Sequence, residues 1–80
     1  MKIELHPHAI KQWKRISKRE HIKIAKKIKQ LETAPLSGKL LHGELKGFRS
    51  FKAWPYRIIY ETKSSKIIVH SIAHRQSAYS

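Results

Sequence analysis

Eighty residues are enough for one domain around one modest core. Eighteen Lys and Arg stand against five Glu and no Asp, a formal charge of +13, so polyanions are the expected partners: nucleic acid first, an acidic protein segment second, an anionic membrane surface third. The absence of cysteine excludes a disulfide framework, a thiolate zinc site and a thiol nucleophile; no apolar run approaches the roughly twenty residues of a membrane span.

Met1-Lys2-Ile3-Glu4-Leu5-His6 is too polar for a signal-peptide core and alternates apolar with polar side chains, which predicts a short strand in a protein of the reducing cytoplasm. Pro7 opens a first helix over about residues 7–17, with Ala9, Ile10, Trp13 and Ile16 on its apolar stripe. Ser17, with Glu20 three residues on, reads as a capping box for a second helix that buries Ile24, Ala25, Ile28 and Leu31 and ends near Ala34, before Pro35. Pro35-Leu36-Ser37-Gly38 is a breaker, after which the pattern moves toward a period of two. Strands are expected near 44–53, 56–62 and 66–73, the last two joined by a hairpin turn at Lys63-Ser64-Ser65-Lys66. The fold class is therefore α+β: an N-terminal strand and two helices, then a three-stranded antiparallel sheet packed on the helices, all in a single domain over residues 1–80.

The helices carry Lys11, Lys14, Arg15, Lys18, Arg19, Lys23, Lys26, Lys27 and Lys29, half of the positive charge. A solvated face is the plainer account of such a run. A face this one-sided gains little from opposite charges, however, and that favours contact with a nucleic-acid backbone through Lys23, Lys26 and Lys27. His6-Pro7-His8 brings two imidazoles close together, but without cysteine, aspartate or HExxH spacing no metal or cofactor is expected. Trp13 sits on the apolar stripe and reads as core, whereas Trp54, beside Pro55 in a strand connection, reads as exposed and able to meet a base or a partner.

Gly43-Glu44-Leu45-Lys46-Gly47, Tyr56-Arg57-Ile58-Ile59-Tyr60-Glu61 and Ala73-His74-Arg75 followed by Tyr79 resemble three successive motifs of the RelE/ParE toxin superfamily, in order and across almost the whole chain. The resemblance implies a RelE-like fold and a toxin silenced by a cognate antitoxin that offers an acidic, helical segment. RelE-like members are implied to cut messenger RNA, commonly on the ribosome. ParE-like members share the fold and are associated with poisoning DNA gyrase.

On the matching positions, Arg57 falls at the arginine that stabilises the scissile phosphate. Arg49 falls near a phosphate-contacting position, Arg75 at a basic position implicated in protonating the leaving oxygen, and Tyr79 at a tyrosine that stacks on a base. Phe51 departs from the RelE pattern, standing where a lysine general base is expected, and Arg49-Ser50-Phe51 is closer to ParE-like sequences.

Metal-independent RNA cleavage uses the neighbouring 2′-hydroxyl as nucleophile. It needs fixed positive charge on the phosphate together with an acid and a base. Arg57 and Arg49 suit the first task, His74 beside Arg75 suits proton transfer, and Glu44 is a second candidate base; Lys46, Lys52 and Trp54 join the helix lysines as RNA contacts. The plainer accounts are a strand arginine lying over apolar neighbours or paired with Glu61, a backbone-bonded His74, and a Tyr79 packed on the sheet. Three functions follow: an endoribonuclease toxin that inhibits translation, a gyrase-directed toxin without nuclease chemistry, or a non-catalytic RNA-binding domain.

Overall fold

The computed structural model describes residues 2–75. Strand β1 (Lys2–Leu5) leads into helix α1 (Pro7–Arg15) and helix α2 (Lys18–Thr33), followed by β2 (Lys39–Leu40), a 3₁₀ turn at Gly43–Leu45, β3 (Arg49–Ala53), β4 (Tyr56–Lys63) and β5 (Lys66–His74). One mixed sheet holds all five strands in the order β1-β5-β4-β3-β2, with β1 parallel to β5 and the other pairs antiparallel. This corrects the three-stranded antiparallel sheet expected from the sequence. The N-terminal strand joins the far edge by pairing with residues some sixty positions away in the chain, such as Ile3 opposite Ile67, and no local pattern encodes that pairing.

The expected strand over 44–53 shortens to β3 because Gly43 (φ 72°) and Gly47 (φ 95°) take left-handed backbone and turn the chain out of the extended run. Between Lys63 and Lys66 the hairpin closes in two residues, Ser64 (φ 51°) and Ser65 (φ 62°), the positive angles that match the twist of the flanking strands.

Helix α1 starts with Pro7 in its first turn, and the Nδ1 of His6 accepts from the backbone N–H of His8 at 3.1 Å. Ser17 does precede α2, but its hydroxyl makes no capping hydrogen bond. Instead of closing a capping box, the Glu20 carboxylate lies 3.0 Å from Lys23 Nζ. The buried stripe also differs from expectation in two places: Ile10 and Ala25 are exposed, while Ala9, Ile24 and Leu31 are fully buried.

The core lies between the helices and one sheet face, where Ala53, Ile58, Tyr60, Ile67, Val69 and Ile72 meet Ala9, Ile24 and Leu31, with Trp13, Ile28 and Phe51 packed at its margin. Burying each isoleucine, leucine or valine of this set contributes about 1.5–3 kcal/mol. Helix α1 is tied to β5 by Gln12, whose Oε1 accepts from the Ile72 N–H at 2.6 Å, close to a bulge where β5 carries one extra residue, His70.

Candidate nucleic-acid interface

Residues directly opposite one another in an antiparallel pair project from the same face. Phe51, Ile58 and Ile72 face the helices, so the alternate set, Lys52 with Arg57 and Ala73, then Ser50 with Ile59 and Ser71, projects from the other face. Arg57 and Lys52 are direct cross-strand partners there. Two cations held side by side on a rigid sheet form a clamp suited to a phosphate, with the arginine fork able to bind two oxygens.

Farther along the same face, the His70 Nε2–H donates to Glu61 Oε2 at 2.6 Å. The His70 ring stacks on His6 at 5.2 Å and meets Phe48 edge-on at 4.9 Å. Glu61 is four residues from Arg57, roughly 13 Å along the strand, so this pair is too distant to share one phosphate with Arg57.

The other sequence-derived site residues are dispersed around this clamp. Phe51 faces the helices with Lys27 Nζ 5.7 Å above its ring, so the departure noted there lies on the side away from Arg57, and the basic residue of β3 that does face Arg57 is Lys52. Arg49 holds the breaker turn, its Nη1 donating to the carbonyls of Gly38 (2.9 Å) and Leu36 (3.3 Å). By register with Tyr56, His74 belongs to the helix-side face, and its ring packs edge-on against Tyr56 at 5.6 Å. Glu44 and Lys46 are exposed, within and just after the 3₁₀ turn, and off the strands. Tyr79 lies outside the described residues.

At the β3–β4 turn, Trp54 is 55% exposed and Arg75 Cζ stands 4.6 Å from the centre of its ring. The Arg75 backbone N–H donates to the Pro55 carbonyl at 2.8 Å, and Lys23 Nζ donates to the Trp54 carbonyl at 2.6 Å. Helix α2, the β3–β4 turn and the end of β5 are thus joined at an exposed indole flanked by cations. The cations of α2 continue the basic surface: Arg19, Lys23, Lys26 and Lys27, with exposed Ile22, line a shallow groove of about 350 Å³.

The sequence reading missed the partnership of Lys52 with Arg57. Its signal was the alternation Ser50-Phe51-Lys52-Ala53, which puts Lys52 and Ser50 on the face opposite Phe51. Among the described residues, no group of three or more His, Asp or Glu is arranged to hold a metal ion, and no helix is long and apolar enough to cross a membrane.

The chain thus sets two helices on one face of a mixed five-stranded sheet, with Arg57 and Lys52 paired on the other. The family model of the ParE toxin of type II toxin–antitoxin systems matches residues 3–79, and the chain belongs to that family, within the RelE/ParE toxin superfamily. Solved structures share the fold: the RelBE2 toxin–antitoxin complex of Mycobacterium tuberculosis at 22% identity and TM-score 0.84 (92% of this chain, 96% of that one), and the YoeB/ParE toxin of Agrobacterium tumefaciens at 21% identity and TM-score 0.80 (92% and 98%). The intact RelBE toxin–antitoxin complex of Escherichia coli aligns at 16% identity and TM-score 0.77 (91% and 94%). No curated protein sequence matches the chain.

Proposed function

We propose that this toxin is a metal-independent endoribonuclease that cleaves messenger RNA in the cytoplasm, in association with the ribosome, and thereby inhibits translation. The observation that carries the reading is the direct pairing of Arg57 with Lys52 on the sheet face turned away from the helices, in a chain of charge +13. Arg57 grips the scissile phosphate and Lys52 shares its developing charge while the 2′-oxygen attacks phosphorus and the 5′-oxygen leaves. Such positioning and electrostatic stabilisation supply the larger part of phosphoryl-transfer catalysis.

Proton transfer adds about 10²- to 10⁴-fold. His74, at the end of β5, belongs to the helix-side face, opposite to that of Arg57, which makes its contribution the smaller one. Arg75 serves by charge and by holding the Trp54 ring, on which a base stacks. Arg49 acts through the turn it fixes, and Lys23, Lys26, Lys27 and Lys46 meet the backbone of messenger or ribosomal RNA. Glu44 and Tyr79 remain candidates for a proton acceptor and a base-stacking residue through the resemblance alone.

A cognate antitoxin with an acidic helical segment is the expected protein partner. The charge of this chain and the toxin–antitoxin complexes among the similar structures support that expectation.

A second reading, inhibition of DNA gyrase without nuclease chemistry, is favoured by the ParE description of the matching family. The test is a translating extract given wild type or Arg57→Ala. New RNA fragments ending in 2′,3′-cyclic phosphate with wild type alone support the nuclease, whereas intact RNA with loss of gyrase supercoiling supports the second reading.

A further inference from the structure

The His6-Pro7-His8 run and the His70–Glu61 pair take no part in the chemistry above, yet they meet at one place. The His6 ring stacks on His70 at 5.2 Å, and Phe48 meets His70 edge-on at 4.9 Å, so three rings form one cluster. It lies on the sheet face that carries Arg57, because Glu61, which His70 grips, is four residues along β4 from Arg57. Hydrogen bonds fix two of the rings. The His70 Nε2–H donates to Glu61 Oε2 at 2.6 Å, and the His6 Nδ1 accepts from the His8 N–H at 3.1 Å as the cap of α1. His70, Phe48 and Glu61 are half-buried, whereas His6 is exposed and forms the outermost ring of the stack.

The chemistry of the cluster selects a flat, uncharged group. Its members are three rings and one carboxylate, with no lysine or arginine among them, and the Glu61 carboxylate disfavours a phosphate. A nucleobase of any identity offers the π-face that such a ring accepts. Because His6 is already held by its cap bond and by the ring behind it, little rotamer freedom is lost when a base arrives.

We infer that His6, backed by His70 and Phe48, is a base-stacking subsite for the nucleic-acid strand whose phosphate Arg57 holds. Glu61 stands roughly 13 Å from Arg57 along the strand, so the stacked base belongs to a different nucleotide from the one held at the clamp. The inference rests on the nucleic-acid reading above but not on catalysis, because a strand without a 2′-hydroxyl fits it equally well.

The experiment measures affinity for a single-stranded DNA oligonucleotide across salt concentration for wild type, His6→Asn and Arg57→Ala, with thermal midpoints recorded for each. Asparagine is a strong helix cap, so His6→Asn removes the ring while α1 keeps its cap and the midpoint stays level. It is expected to bind about fivefold more weakly, the lower end of what one base stack contributes, with an unchanged log–log salt slope because no phosphate loses a cation. An abasic site moved along the oligonucleotide is expected to weaken wild-type binding at one position by a similar factor, and at that position His6→Asn and wild type should bind alike.

Equal affinity in His6→Asn, with weakened binding in Arg57→Ala, would overturn the subsite and leave the nucleic-acid reading standing. A lower salt slope in His6→Asn would show the imidazole acting as a cation on a phosphate, which also overturns base stacking. Failure of the wild type to bind the oligonucleotide at all would overturn both. A His6 effect that the abasic site abolishes, in a protein that never cleaves RNA, keeps the subsite and removes the nuclease reading.

Discussion

The Tyr60 hydroxyl accepts a hydrogen bond from the Gly38 N–H at 2.9 Å, and it donates one to the Pro35 carbonyl at 2.7 Å. Arg49 grips the same turn through the carbonyls of Gly38 and Leu36. The breaker between the helical and strand halves is therefore fastened to β3 and β4, and Lys39 and Ser50 are set opposite each other just beyond it. Gly38 is required by this close approach, since a Cβ there would come within 2.7 Å of the Tyr60 ring and hydroxyl.

Tyr60→Phe leaves a buried N–H and a carbonyl without their partner and is expected to cost about 1–3 kcal/mol. Gly38→Ala forces the fully buried Tyr60 to move and is expected to cost about 1–3 kcal/mol by overpacking. Urea denaturation checks both. Wild-type stability in either variant contradicts the role given to this turn.

Replacing Ser64-Ser65 by Asn-Gly is expected to stabilise the protein by about 1 kcal/mol. Both serines hold positive φ, a conformation that asparagine and glycine adopt at lower cost. A thermal midpoint no higher than that of the parent would show that the turn is unstrained.

Gln12→Met removes the acceptor of the Ile72 N–H next to the β5 bulge, and about 1–2 kcal/mol of stability should go with it. Amide hydrogen exchange at Ile72 gives the local readout: exchange faster than the global loss of stability explains is expected, and unchanged protection argues that another acceptor serves this N–H.

The basic face of α2 predicts a steep salt dependence of RNA binding. Lys23→Gln, Lys26→Gln and Lys27→Gln together should lower the log–log slope by about two, at roughly 0.7 for each phosphate of a single strand that is no longer neutralised. Equal RNA affinity in the triple variant would exclude this face from the interface.

Both helices, the breaker, the β4–β5 hairpin and the helix side of the core were legible in the sequence because each depends on interactions between near neighbours, such as the i, i+3 and i+4 stripe of Ile24, Ile28 and Leu31. Pairing of β1 with β5 was not legible, since the register between Ile3 and Ile67 is fixed by packing of the whole chain. At the candidate site, Arg57 was singled out by its motif, but its neighbour depended on strand register. That register sets Lys52 beside Arg57, turns Phe51 toward Lys27 and gives His74 to the helix-side face. That the buried Ser50 hydroxyl finds no hydrogen-bond partner among the described residues has no sequence signature, because serine on a strand is ordinarily solvated.

The most direct test of the central claim is induced expression in bacteria of wild type, Lys52→Gln, His74→Gln and Arg57→Ala, with growth scored while new 5′ ends are mapped across total messenger RNA. The account predicts growth arrest with fresh cleavage ends for wild type, loss of both by orders of magnitude for Arg57→Ala, a strong loss for Lys52→Gln, and a decrease of no more than about 10²-fold for His74→Gln. Growth arrest without new ends, or new ends that persist in Arg57→Ala, would contradict it.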